Sequence, residues 1–304
     1  MFDRSALSYL GRVHFAPEIQ RILHRVVARV SSVRGISAIV LGGSRARGTA
    51  DRHSDLDLGI YYDSRHPFRI RELERAARDL DDRKSPGLVT PFGAWGPGVN
   101  GGGWLPVDGI HVDFLYRELL AVRRAIDDCR AGRVSSLYQL GHPMGFHVQI
   151  YAGETNCCVP LYDPRSILRQ LKRRIAVYPA ALRRAIVTRH LFDATFQLAV
   201  ADKPARRGDI AYVAGSLFHA AGFMTMVLYA LNRQWLINEK GALPAARKFK
   251  LRPRGFHSTI DEVMARPGAT PRALVRSIGR MRGLAISLRT LAAREGIEAT
   301  GFGV

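Results

Sequence analysis

The sequence predicts an α/β front half followed by an all-helical back half. Three observations carry this. Short apolar runs near 36–41, 55–62 and 110–116 alternate with helical patterns through the first 160 or so residues. Strand signals stop beyond Tyr162-Asp163-Pro164. A glycine turn, Gly42-Gly43-Ser44, is followed after ten intervening residues by Asp55-Leu56-Asp57-Leu58, a pattern that reads as strand, turn, strand.

The elements follow in order. Residues 17–33 carry apolar side chains at helical spacing, with Pro17 suited to a first helical position. Residues 36–41 form a strand that ends at Val40-Leu41, and 55–62 supply its neighbour. Residues 69–82 are an amphipathic, charged helix. Two further strands are expected at 88–95 and 110–116, joined by a glycine-dense surface loop over 96–104. A helix is expected at 117–130 and a short hairpin from 147–151 with 157–161. Asp163 then caps a helix that has Pro164 at its start, and helices are expected at 166–174, 180–201, 208–234 and 271–294. Arg252-Pro253-Arg254-Gly255 breaks the run. The expected domains are 1–163, catalytic, and 164–304, helical and basic.

The chemistry lies in the first of these domains. Glycines at 42 and 43 let the backbone turn sharply and bring its N–H groups close to an anion, and Ser44 adds a hydroxyl donor. On a strand, residues i and i+2 share a face. Asp55 and Asp57 therefore point one way while Leu56 and Leu58 point into the core. Two carboxylates side by side repel unless a cation lies between them. Oxygen-only ligation suits Mg²⁺, which takes one or two carboxylates together with substrate phosphates.

This spacing resembles the nucleotidyltransferase superfamily that includes DNA polymerase β, in its small bacterial branch. The residues that carry the resemblance are Leu41-Gly42-Gly43-Ser44-Arg45-Ala46-Arg47-Gly48 and Asp55-Leu56-Asp57-Leu58. The resemblance implies a mixed-sheet catalytic domain and transfer of a nucleotidyl group, expected to be AMP, from an NTP to a hydroxyl. Such sites use a third carboxylate on a later strand. Asp113, in His111-Val112-Asp113-Phe114, is the candidate, with Asp108 a competitor that precedes a glycine and reads as a turn acid. With Asp55, Asp57 and Asp113 as ligands, two Mg²⁺ ions are expected. Gly42, Gly43 and Ser44 would grip phosphates. Arg45 or Arg47 would neutralise charge, with Arg47 the preferred one, unless one of the pair meets Asp51 or caps the short helix.

The rest of the chain carries a second resemblance. Leu161-Tyr162-Asp163-Pro164, Arg207-Gly208-Asp209-Ile210-Ala211-Tyr212 and the stretch from Leu231-Asn232-Arg233 to Glu239-Lys240-Gly241 look like a bacterial nucleotidyltransferase family with a helical C-terminal domain. The layout is also similar to aminoglycoside and lincosamide nucleotidyltransferases. It implies that Asn232, Asn238, Glu239 and Lys240 face the cleft and that Lys240 binds a triphosphate oxygen. An ordinary helix end, with Gly241 as terminator, fits the same residues. Asp209 reads as an N-cap.

Composition bounds the partners. The chain has 46 Lys and Arg against 26 Asp and Glu, a net charge of +20. Residues 1–164 hold 21 basic and 18 acidic side chains, and residues 165–304 hold 25 and 8. Such a field draws anions (triphosphate, RNA or an acidic surface) and repels a polycationic acceptor. Forty of the 46 cations are Arg, a bias that GC-rich coding also produces. The acceptor is left open between a hydroxylated small molecule and tRNA. A protein side chain is a further acceptor, and a non-catalytic nucleotide-binding module is the reading from another class. Cys129 and Cys157-Cys158 show neither disulfide nor zinc spacing, and His142, His147, His190 and His219 form no metal-ligand spacing. The start, Met1-Phe2-Asp3-Arg4-Ser5, has no apolar h-region, and residues 211–231 read as a buried helix, so a cytoplasmic protein without a membrane partner is expected.

Overall fold

A computed structural model describes residues 15–303. The opening residues considered above for a leader lie outside the described residues. The chain forms two compact units. The first runs to Asp127 and adds Ser135–Gly141 and Gly145–Val177, and the second holds Asp128–Val134, His142–Met144 and the chain from Tyr178 onward. The change from strands to helices near residue 163 thus precedes the change of unit.

In the first unit α1 (Pro17–Ser31) begins with Pro17 and buries Ile19, Ile22, Leu23, Val26, Val27 and Val30 along one stripe. Strand β1 (Ile36–Leu41) is buried throughout. A four-residue helix, α2 (Gly43–Ala46), follows at once, and then β2 (Leu56–Tyr62), α3 (Ile70–Leu80), β3 (Gly102–Val107), β4 (Ile110–Glu118) and α4 (Leu119–Ala131). Beyond these come the small pair β5 (Ser136–Leu137) and β6 (Phe146–His147), helix α5 (Gln149–Cys157), β7 (Val159–Tyr162) and α6 (Ile167–Arg174). The main sheet is mixed, in the order β3-β4-β2-β1-β7. Strand β1 is antiparallel to β2 and β7, β3 is antiparallel to β4, and β2 and β4 are parallel.

The sheet has two different faces. Leu56, Leu58 and Ile60 of β2 and Val112, Phe114 and Tyr116 of β4 join α1 and α3 in one core. The intervening residues, Asp57 and Tyr61 on β2 and Asp113 and Arg117 on β4, point the other way. There Arg117, 4% exposed, makes a bidentate pair with Glu154 of α5 at 2.7 and 2.8 Å. Burial alone would lower the Arg117 pKa, but the Glu154 carboxylate more than offsets it and the guanidinium is held charged.

Four expectations are corrected. Residues 88–95 are not a strand; only Val89 bridges to Gly103. The reason is a competing acceptor: the Glu74 carboxylate on α3 takes the N–H groups of Gly87, Leu88 and Val89 at 2.7, 3.3 and 3.0 Å. The glycine-dense stretch is not a surface loop throughout, because Gly102, Gly103 and Trp104 enter β3 and the two glycines are buried. The hairpin expected from 147–151 and 157–161 is replaced by α5, fixed by the Glu154–Arg117 pair, while β7 joins the main sheet beside β1. Residues 117 and 118 extend β4 before the next helix begins.

The second unit is helical: α7 (Ala180–Val200), α8 (Asp202–Arg206), α9 (Ile210–Leu231), α10 (Ala242–Ala246), α11 (Phe256–Ala265) and α12 (Pro271–Arg294). Asp209 caps α9 through the Tyr212 N–H at 3.1 Å, and Thr270 caps α12 ahead of Pro271. Helix α9 is, by length and composition, the one described helix able to cross a membrane, and half of its most apolar stretch is buried in the bundle. It packs on α7, α10, α11 and α12 as the central helix of this unit.

Candidate active site

The strongest site feature is a row across the sheet. In the parallel pair of β2 and β4, Asp57 lies directly opposite Asp113. Side chains opposite one another in register project from the same face, so both carboxylates stand on the side away from α1 and α3. Each is half-buried, whereas their neighbours Leu56, Leu58, Val112 and Phe114 are buried. Leucine and aspartate alternate because one face of β2 closes the core and the other does not.

The turn after β1 reaches this row. The Gly42 N–H donates to the Asp57 carbonyl oxygen at 2.8 Å and ties the end of β1 to β2. Gly43 adopts φ +59°, in the left-handed region, and a Cβ at that position would lie 1.7 Å from Asp57 Oδ2 and 2.6 Å from its Cγ. Only glycine accommodates both conditions. Gly43 opens helix α2, and Ser44 follows in its first turn, where N–H groups have no intrahelical acceptor. The turn is therefore seated so close to the Asp57 carboxylate that no side chain fits at position 43.

The arginines divide their work. Arg45 is a brace: its Nε donates to the Asp55 carbonyl at 3.2 Å and its Nη2 to the Ser54 carbonyl at 2.6 Å, holding the approach to β2. Arg47 is exposed and its Nε donates to the Gly43 carbonyl at 3.2 Å, which places it at the end of the short helix. Neither makes an ion pair with Asp51 among the described residues. Asp51 instead accepts from the His53 N–H at 2.9 Å and the Ser54 hydroxyl at 3.0 Å, and these bonds hold its pKa below the usual carboxylate range.

Asp55 lies one residue before β2 and is exposed. No group of three or more His, Cys, Asp or Glu side chains that could hold a metal is gathered among the described residues. The donor set at the row nevertheless fits Mg²⁺. It is all oxygen, it includes two carboxylates on one face, and Mg²⁺ completes its shell with water and substrate phosphates. Asp108, the competitor for the third carboxylate, sits with φ +51° in the two-residue turn that joins β3 to β4, and its carboxylate meets Arg25 at 3.0 Å.

In the helical unit Asn232 braces the chain: its Nδ2 donates to the Leu228 and Leu251 carbonyls at 2.8 Å each, and its Oδ1 accepts from the Leu251 N–H at 3.0 Å. The Asn238 Oδ1 accepts from the Lys240 N–H at 2.8 Å. Glu239 accepts from the Met144 N–H at 3.3 Å and lies 3.0 Å from His142 Nδ1. Burial would raise the Glu239 pKa, but the His142 bond outweighs it and the carboxyl titrates below its ordinary value. Lys240 is exposed.

Sequence reasoning missed three features on the open face of the sheet. The first is the pair Trp95 and Trp104, stacked at 4.4 Å between ring centroids with 22° between planes. The second is buried Gln139, and the third is the Arg117–Glu154 pair. A signal for the first was present in Trp104-Leu105-Pro106-Val107, a short apolar run of strand length.

Residues 19–92 match the model of the nucleotidyltransferase domain family. No curated protein matches the chain. Among solved structures, a nucleotidyltransferase-like protein from Exiguobacterium sibiricum is similar with 8% identity and a TM-score of 0.45, over 91% of this chain and 77% of that one. The Thermotoga maritima CCA-adding enzyme, solved with tRNA, is similar with 12% identity and a TM-score of 0.31, over 93% of this chain and 84% of that one.

Proposed function

With residues 19–92 as a nucleotidyltransferase domain, we propose that this enzyme transfers an NMP group, AMP foremost, from an NTP to an acceptor hydroxyl in a metal-dependent reaction. The observation that carries this reading is the register of Asp57 with Asp113, with Gly43 against the Asp57 carboxylate. Gly42, Gly43 and Ser44 bind the leaving phosphates through backbone N–H groups and the Ser44 hydroxyl. Arg47, at the end of the same short helix, offers its guanidinium to developing negative charge. Arg45 keeps the loop before Asp55 in place.

Asp55, Asp57 and Asp113 are the residues that would hold divalent metal. When bound, Mg²⁺ offsets triphosphate charge and acidifies the acceptor hydroxyl. The acceptor oxygen attacks the α-phosphorus, and the bond from that phosphorus to the α,β-bridging oxygen breaks. Pyrophosphate departs with the bond's electrons, and Asp113 takes the hydroxyl proton. A cytoplasmic location and a role for Lys240 at the triphosphate belong to the same proposal; they rest on sequence alone.

The test is transfer of label from α-³²P ATP, GTP, CTP and UTP, with Mg²⁺, into a panel of RNA, hydroxylated small molecules and the protein itself. The reading expects label to move from one NTP, and Asp57→Ala to abolish the movement. Equal transfer by the wild type and Asp57→Ala would refute the assignment.

A further inference from the structure

The carboxylate row does not stop at Asp113. In the antiparallel pair of β3 and β4, Trp104 lies directly opposite Asp113. Asp57, Asp113 and Trp104 are therefore three consecutive members of one line across β2, β4 and β3, all on the same face. With neighbouring strands about 4.8 Å apart, Trp104 stands roughly 10 Å from Asp57. The phosphate-binding turn is at the other end of the line, at the end of β1.

Trp104 is 60% exposed, yet it is built in rather than left over. Trp95 stacks on it. The Trp95 ring lies over Gly102, where a Cβ would come within 2.6 Å of the ring and 1.9 Å of the Phe114 carbonyl oxygen. Gly102 and Trp104 are i and i+2 on β3, so Trp95 is on the Asp113 face as well. The segment that carries Trp95 is pinned from below by Gln139, which is 4% exposed. Its Oε1 accepts from the Gly98 and Val99 N–H groups at 3.0 Å each, and its Nε2 donates to the Trp95 carbonyl. The exposed Trp104 ring beside an acid is thus backed by Trp95, whose segment a buried polar clamp fixes. Protein stability does not call for that arrangement, because the exposed ring face buries little surface.

In-line displacement sets what belongs there. The leaving pyrophosphate and the incoming hydroxyl lie on opposite sides of the α-phosphorus. With phosphates held at the β1 end, the acceptor comes from the β3 end, across Asp113 and onto Trp104. We infer that the Trp104–Trp95 stack is the acceptor subsite, and that it receives the terminal base of a single-stranded polynucleotide whose ribose hydroxyl meets Asp113. An aromatic platform accepts any base face, and the ribose of a base stacked there carries the hydroxyl that Asp113 would deprotonate. This inference rests on the nucleotidyl-transfer reading for its orientation, but its test does not need turnover.

The chain has three tryptophans, so Trp235→Phe leaves emission from Trp95 and Trp104 alone. That variant is titrated, without NTP or metal, with a short single-stranded RNA and with the same RNA ending in an abasic 3′ residue. Saturable quenching by the intact RNA is expected, with at least fivefold weaker binding of the abasic one. Trp104→Ala should weaken intact RNA about 5- to 100-fold, while Trp104→Phe stays within a few-fold of the parent. Equal binding of the intact and abasic RNA, or no loss in Trp104→Ala, overturns the subsite. Transfer of label to a ring-free acceptor with unchanged KM in Trp104→Ala would also overturn it, while leaving nucleotidyl transfer intact. Loss of all turnover in the wild type would count against the transferase reading and leave the quenching result standing.

Discussion

Gly43→Ala is the perturbation that isolates the link between the turn and the carboxylate row. Two costs arise, and a second glycine separates them. An L-residue in the left-handed region costs about 1–2 kcal/mol. Gly48 has φ +68° with nothing within 4 Å of a built Cβ, so Gly48→Ala carries that backbone cost alone. Gly43→Ala carries it too and adds a Cβ 1.7 Å from Asp57 Oδ2. Ordinary contact requires more than 3 Å, so the carboxylate must retreat by roughly 1.5 Å, a displacement that costs on the order of 100-fold in a positioned site. Thermal unfolding of both variants should fall by a similar few degrees. Pyrophosphate release should fall about 100-fold in Gly43→Ala and only a few-fold in Gly48→Ala. Activity within threefold between the two would refute the claim that Gly43 exists to seat Asp57.

Other perturbations have defined outcomes. Asp113→Asn removes the proton acceptor but keeps the shape, so kcat should drop about 10²- to 10⁴-fold while nucleotide affinity holds within a few-fold. Arg117→Met or Glu154→Gln strands a buried charge and should destabilise the first unit by about 3–5 kcal/mol in urea unfolding, whereas Arg117→Met with Glu154→Met should recover most of that loss. Burial pushes the thiols of Cys129 and Cys158 up from 9.0 to about 12. Below about pH 9 both folded and unfolded states keep these protons, and between 9 and 12 only the unfolded state releases them. Stability should therefore fall from pH 9 upward by about 1.4 kcal/mol per pH unit per thiol, levelling beyond 12, and replacing Cys129 by Ala should reduce the slope.

Residues 36–62 were legible from sequence because each local preference agrees with the tertiary role. Ile36–Leu41 is apolar at every position but Ser37 and lies inside the sheet, glycines stand at the turn, and Leu56 and Leu58 alternate with Asp57. The face of β4 on which Asp113 stands was legible for the same reason, since Val112 and Phe114 mark the opposite, core face. Residues 88–95 misled because their strand-like composition is answered by Glu74, fourteen residues earlier, which no local pattern announces. Residues 149–157 misled because a short apolar run fits a strand or a buried helix equally, and Glu154 settles it by reaching Arg117 on another element. The Trp95–Trp104 stack was hidden in a glycine-dense stretch in which Gly102 serves close packing against Trp95 and the Phe114 carbonyl rather than turning.

The central claim is that the Asp57–Asp113 row drives nucleotidyl transfer. Its most direct test is pyrophosphate release from an NTP across a Mg²⁺ titration, for the wild type and Asp57→Asn side by side. The account predicts saturable Mg²⁺ dependence in the wild type and a loss of at least 100-fold in Asp57→Asn that added Mg²⁺ does not restore. Release that is independent of Mg²⁺, or equal in the two proteins, would contradict it.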